Sequence, residues 1–289
     1  DQLSMLYTSL YHTMINPSVY CDVDGLYRGV DGNIHRAEGF TNYTIFSTWD
    51  TFRALHPLYN IIQRERSHDI IESMIAHSEQ SVHGALPVWS HNANENWCMI
   101  GYHSVSVLAD AIAAGIPVDT ARALKAMVRS SSIPYYEGTG EMMRLGYVPM
   151  EASGSSASVT LEYAYDDWTV YKTAADAGQT DIAEQYLKRS GNWRNVFDPG
   201  TRHARPRHED GTFKTDFDLL STHGQGFIEG NSLNYSFYVP HDVPGLIEAM
   251  GGAEQFEANL DTLFTMHLPD EFFAGTEDVT REGILGGYV

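Results

Sequence analysis

Helical spacing dominates the hydrophobic pattern of this chain. In LSMLYTSLYHTMI (3–15), Leu3, Leu6, Leu10 and Met14 recur at three- and four-residue intervals and form one apolar stripe. STWDTFRALHPLYNII (47–62) predicts a helix with Ser47 as N-cap and Asp50 as a capping-box-like acid three residues on. Further helices are expected over 67–80, 96–115, 119–130, 156–178, 179–191, 241–252 and 252–264. Long helices rich in aromatics alternate with shorter, more charged ones across Gly- and Pro-containing links. That alternation predicts helical hairpins set as an inner and an outer ring. The links LPVWSHNANENW and RLGYVPMEASG hold Trp, Asn, Glu and Tyr at the starts of inner helices, where scaffold-borne loops usually carry sites. About four pairs and one unpaired amino-terminal helix are fewer than a closed toroid needs. The chain is therefore expected to be part of something larger, with no domain boundary inside it.

Composition narrows the partners. A chain of 289 residues, 43% hydrophobic, suffices for one large domain or two small ones. Its 38 acidic and 18 basic residues give a formal charge of -20, which repels phosphate backbones and anionic membranes. Neutral molecules or cations are the expected partners, and nucleic acid is not. No apolar run approaches the ~20 residues that cross a bilayer, so no membrane span is expected. Cys21 and Cys98 stand in no CxxC or Cys/His spacing, which excludes a structural zinc site. Neither an initiator Met nor a signal peptide is evident, because the chain opens mid-pattern.

CDVDGLYRGVDGN (21–33) offers Asp22, Asp24 and Asp31, but an EF-hand loop wants Gly sixth and Glu twelfth. Here Gly25 falls fourth and Asn33 last, so turns are expected. FSTWDTFRALHPL is more specific. Trp49 offers a flat face for a sugar ring, and Asp50 and Arg53, one turn apart, can grip hydroxyls or each other. ANENWCMIGYH sets Glu95, Trp97, Tyr102 and His103 at an expected helix start. In LEYAYDDW, helical spacing puts Glu162 and Asp166 on one face, where carboxylates often serve neighbouring backbone or Tyr hydroxyls. GFIEGNSLNYSFYVPHDVPG (226–245) places Glu229 among Gly, Asn and aromatics, as half of an acid/base pair. With no G-x-S-x-G elbow or phosphate-binding loop, the residues point to a helical-toroid enzyme or binder of neutral carbohydrate.

GFTNYTIFSTWDTFRALHPL, LPVWSHNANENWCMIGYHS, GYVPME, TLEYAYDDW, YLKRSGNWRNVFDP and EGNSLNYSFYVPHDVPGLIEAMGG together resemble glycoside hydrolase family 92, in family order across nearly the whole chain. The resemblance implies an all-α fold, an incomplete (α/α)6 barrel, with 1–289 a fragment of the catalytic domain. The upstream β-sandwich and the carboxyl-terminal part of the barrel are expected outside it. It implies an inverting, calcium-dependent exo-α-mannosidase, of α-1,2 preference, on mannose-containing glycans, periplasmic or secreted. Glu229 would be the general acid, kept neutral in an aromatic-lined, low-dielectric pocket. Trp49, Asp50 and Arg53 would line the mannose pocket, with Asn231 and Trp97 also counted as substrate-binding. Leu233 and Asn234 depart from the family's usual Trp-Gln, which affects substrate preference and calcium geometry. An inverting enzyme holds its two carboxyls ~6.5–9.5 Å apart. The family's general base lies in a Gly-Asn-Asp-rich segment that nothing in 1–289 matches, so the partner of Glu229 and most calcium ligands are expected beyond Val289. Alternatives are a catalytically inactive carbohydrate-binding piece and an endo-acting glycosidase of the same fold.

Overall fold

A computed structural model describes residues 1–222 and 224–266. Among them are helices α1 (Gln2–Thr13), α2 (Thr48–Thr51), α3 (Leu55–Ile62), α4 (Arg64–Gln80), α5 (Ser104–Ala113) and α6 (Thr120–Ser130). After these come α7 (Thr139–Leu145), α8 (Ser156–Asp176), α9 (Thr180–Ser190), α10 (Ser232–Tyr235), α11 (Val243–Ala249) and α12 (Ala253–Thr265). The chain divides into two compact units, Asp1–Ile133 with Asp166–Leu187, and Pro134–Tyr165 with Lys188–Val289.

The fold is mostly helical but not purely so. In the first unit, β1 (Ser18–Val19) pairs antiparallel with β4 (Tyr43–Thr44), and β2 (Leu26–Arg28) with β3 (Ile34–Arg36). β5 (Phe46–Ser47), β6 (Trp89–His91) and β7 (Asn94–Glu95) form a three-stranded antiparallel sheet. The Asp residues of 21–33 serve turns, as expected: Asp24 accepts from Leu26 N at 3.1 Å and Asp31 from Asn33 N at 3.0 Å.

α4, α5 and α6 pack on one another. Ile70, Ile71, Met74 and Ile75 of α4 and Val105, Leu108 and Ala111 of α5 are all essentially solvent-free. α6 is one-sided, burying Ala123, Leu124 and Met127, and Asp119 caps it by accepting from Ala121 N and Arg122 N. Arg122 reaches from its polar side to Glu72 and Glu79 of α4, each at 3.0 Å.

The helix expected over 47–62 is two helices. Ser47 is held by ladder pairing with Trp89, and its side chain caps nothing. Pro57 lacks the N–H that would continue a helix through Arg53, and it sits instead in the first turn of α3, where that donor is not needed. The helix expected from 96 starts only at Ser104. Before it, Trp97, Met99 and Gly101 adopt φ of 53°, 64° and 82°. Glu95 diverts the chain there, accepting from Val88 N, Trp89 N and Trp97 N at 2.9, 2.8 and 3.0 Å. The helices expected at 119–130, 156–178, 179–191 and 252–264 appear within two residues of those limits. Cys21 and Cys98 are both free thiols.

In the second unit, β8 (Phe197–Asp198) pairs with β9 (His203–Ala204). Its core gathers Tyr147, Leu161, Trp193, Val196, Phe227, Val239 and Leu246. α7, not foreseen, is delimited by Gly138 and Gly146, both left-handed at φ 71° and 79°. Residues beyond Met266, including the REGILGGYV stretch, lie outside the described residues.

Candidate active site

The first unit holds four of the expected site residues. Trp49 and Asp50 lie in α2, with Trp49 half-buried and Asp50 exposed. The Arg53 guanidinium lies 4.9 Å from the centre of the Trp49 ring and 4.8 Å from that of Phe52, and its Nε donates to Trp49 O at 3.2 Å. Its stacking presents an indole, a cation and a carboxylate together. Loss of water around the Asp50 carboxyl raises its pKa, outweighing the pull of Arg53 in the other direction.

Behind this turn stands a buried stack. Phe52 lies parallel to His103, 4.2 Å between ring centres at 9°. His103 Nδ1 is 2.8 Å from Asp166 Oδ1, both fully buried, and Asp166 Oδ2 accepts from Tyr102 N at 2.9 Å. Tyr102 OH donates to Asp167 at 2.9 Å. These α8 carboxylates therefore bind an imidazole, a backbone amide and a phenol, which is what such inner-helix acids were expected to do. Trp97 lies edge-on to His83 at 5.5 Å between ring centres, and its backbone N donates to Glu95 at 3.0 Å.

In the second unit, Glu229 is exposed and has φ 42°, a left-handed conformation that non-glycine residues adopt at a cost. The apolar enclosure expected around it is not formed by the described residues. Its segment is anchored on both sides. Gly226 O accepts from Ala157 N and Ser158 N at 3.0 and 3.2 Å, and Ile228 N donates to Ser158 Oγ at 3.1 Å. Downstream, Asn231 and Asn234 cap α10 reciprocally: Asn234 N donates to Asn231 Oδ1 at 3.2 Å and Asn231 N to Asn234 Oδ1 at 2.9 Å. Asn231 Nδ2 donates to Leu220 O at 3.2 Å, and the residue is 3% exposed. Asn231 thus turns its amide to the protein and acts on the Glu229 segment. Asn234, where the resemblance leads one to expect a longer Gln, serves the same cap.

Sequence reasoning missed Glu137. Burial pushes its carboxyl up to about 7 against the lowering effect of a hydrogen bond from Ser153 Oγ (3.3 Å), and the charge of Glu162 adds to the rise. Glu162 itself is fully buried and accepts from Tyr235 OH at 2.8 Å. The signal was present: YYEGTG sets a carboxylate between aromatics and glycine, as FIEGN does around Glu229.

Calcium was expected from the resemblance. Among the described residues no three His, Cys, Asp or Glu side chains converge on a point that could hold a metal ion. Among them, too, no helix is long and apolar enough to cross a membrane.

The pattern of the glycosyl hydrolase family 92 catalytic domain matches residues 1–284. The chain is similar to the family GH92 α-mannosidase BT3965 from Bacteroides thetaiotaomicron in its complex with mannoimidazole. Identity is 43% and the TM-score 0.91, covering 96% of this chain and 38% of that one. It is also similar to the family GH92 inverting mannosidase BT2199 of the same organism, at 34% identity and a TM-score of 0.84, over 96% of this chain and 38% of that one. An uncharacterized secreted glycosidase of Arthroderma benhamiae is 28% identical over 219 residues, 62% of this chain and 28% of its own length. The chain spans less than two fifths of the length of each of these relatives.

Proposed function

The chain belongs to glycosyl hydrolase family 92, and from that membership we propose that it supplies the acid side of an inverting exo-α-mannosidase that releases terminal mannose, with α-1,2 linkage preferred. The observation that carries this reading is Glu229 itself, an exposed carboxylate held at φ 42° between a helix-bound upstream segment and a reciprocally capped helix. Backbone strain kept by its surroundings clusters at reactive groups. In this role Glu229 gives its proton to the departing glycosidic oxygen. Trp49 offers its face to the sugar ring, while Asp50 and Arg53 take hydroxyls, the exposed carboxylate accepting and the guanidinium donating. Asn231 and the α10 cap hold the acid's segment. Trp97 is retained as a candidate platform. No residue of 1–289 is assigned as the base, and the (α/α)6 barrel is completed by chain other than the described residues. The similarity to BT3965, solved with mannoimidazole, and to the inverting mannosidase BT2199 supports the substrate and the stereochemistry. The fungal relative's name supports secretion.

The test is proton NMR of mannobiose cleavage by the full-length natural protein. β-Mannose is expected as the first anomer from an α-linked substrate, released one sugar at a time. First appearance of α-mannose, or oligosaccharide products from a mannan, would overturn the reading.

The family is generally calcium-dependent. Chelation of the full-length protein is expected to abolish turnover, with recovery on Ca²⁺ and much less on Mg²⁺, which gives up its waters reluctantly and insists on octahedral geometry. Undiminished rates after exhaustive chelation would remove the metal from the account.

A further inference from the structure

Glu162 has no solvent exposure, yet no step of the proposed reaction uses it. Its Oε1 accepts a hydrogen bond from Tyr235 OH at 2.8 Å. Tyr235 ends α10, the short helix that starts two residues after Glu229 at its cap Asn231. A Cβ added to Gly230 would lie 3.0 Å from Tyr235 Cδ2 and 3.0 Å from Asn234 Oδ1, so the Tyr235 ring sits directly against the residue that follows Glu229. The same ring lies 5.8 Å from that of Phe227, centre to centre, and Phe227 is a core residue two positions before Glu229. One aromatic side chain thus touches the Glu229 segment on its downstream side and faces its anchor on the upstream side.

We propose that Tyr235 is a positioning residue for Glu229, with Glu162 fixing the Tyr235 hydroxyl so that the ring holds Gly230, and through it the direction of the Glu229 carboxyl. The inference rests on reading Glu229 as the acid. A phenol donating to a carboxylate makes a short hydrogen bond, about twice as strong as one between neutral groups. It pins both side-chain torsions of the tyrosine, because the ring is held at its far end as well as at its backbone. Without the hydroxyl the ring keeps its packing but loses that anchor. A general acid must lie within about 2.6–3.2 Å of the atom it protonates, and a displacement of about 1 Å can cost on the order of 10²-fold in rate. Exposed as it is, Glu229 needs such an external constraint on its segment.

The deciding experiment compares wild type, Tyr235→Phe and Glu229→Gln in the full-length natural protein, on two mannosides. One has a poor leaving group that needs protonation, and the other is a dinitrophenyl mannoside that does not. For Tyr235→Phe, kcat on the poor leaving group is expected to fall by about 10-fold, with KM within twofold and the dinitrophenyl rate unchanged. Glu162→Gln, which keeps an acceptor oxygen but loses the charge, is expected to show the same pattern more weakly. Equal losses on both substrates, or a change confined to KM, would mean that Tyr235 contacts the sugar or merely supports the fold, and would overturn the proposal. So would wild-type kinetics on both. If Tyr235→Phe does not fold, Glu162→Gln decides by the same criteria. If Glu229→Gln loses activity without regard to leaving group, the acid reading falls and this inference falls with it. A leaving-group-dependent loss in Glu229→Gln alone overturns only the positioning role.

Discussion

Glu229→Gln in the full-length natural protein is expected to lower cleavage of an unactivated mannoside by roughly 10²–10⁴-fold, the range for a lost general acid. At 1.36 kcal/mol per tenfold, that is about 3–5 kcal/mol of transition-state stabilisation. Gln matches Glu in shape, and the position is exposed, so folding should be untouched. The φ of 42° is set by the neighbouring anchors and remains available to Gln. Substrates whose leaving group departs without protonation should lose far less, and added azide or formate should not restore the poor leaving group's rate to that of the wild type. Steady-state kcat on the two substrate types measures this directly. Near-wild-type rates on both would show that the acid lies elsewhere, and Glu137 would be the first residue to examine in its place.

The second large effect concerns Glu137 and stability. Its carboxyl is pushed from 4.5 up to about 7, by burial first, with the charge of Glu162 adding to the rise. The folded state therefore holds this proton over a range where the unfolded chain has released it. Below about pH 4.5 both states are protonated and the group makes no difference. Between pH 4.5 and 7 the unfolded state binds fewer protons, so stability falls as pH rises, and above 7 the loss is complete. A 2.5-unit span, 7 minus 4.5, caps the loss at about 3 kcal/mol. Glu137 is half-buried rather than sealed, and water trims the figure to about 1–3 kcal/mol. Glu137→Gln mimics the protonated form at every pH. Its melting temperature is expected to match wild type near pH 4 and to exceed it by several degrees at pH 8, the gap opening between 4.5 and 7. Thermal unfolding of both proteins across that range checks it. Parallel curves would mean that Glu137 is ionised in the folded protein without penalty.

Helices that carry their own start signals and an unbroken apolar stripe were legible in the sequence. α6 has Asp119 as its cap and Leu124 and Met127 on its buried side, and α8 has apolar positions along its whole length. Those signals are local, so no distant partner is needed to read them. The local chemistry of Trp49, Asp50 and Arg53, and the acid in EGN, could be named because motif spacing is also local. The purpose of the inner-helix carboxylates could be sketched in kind, but not in partner. Glu162 finds Tyr235 and Asp166 finds Tyr102 and His103 across separations of 73, 64 and 63 residues.

What only the tertiary structure decided lies where a distant segment overrides a local preference. Helical spacing runs unbroken through 47–62, yet α2 ends at Thr51 and Pro57, which cannot donate to Arg53 O, sits in the first turn of a fresh helix from Leu55. Glu95 gathers three backbone amides and so converts an expected helical turn at 96–103 into alternating left-handed backbone. Asn231 reads from sequence as an amide for a ligand, but the proximity of Asn234 and Leu220 commits it to the protein. Glu137 and Glu229 each precede a glycine and follow an aromatic within two residues, and the two differ in environment. Folding half-buries Glu137 within reach of the Glu162 charge and leaves Glu229 in water, so desolvation and charge proximity, which depend on segments far apart in the chain, separate two carboxylates that the sequence presents alike.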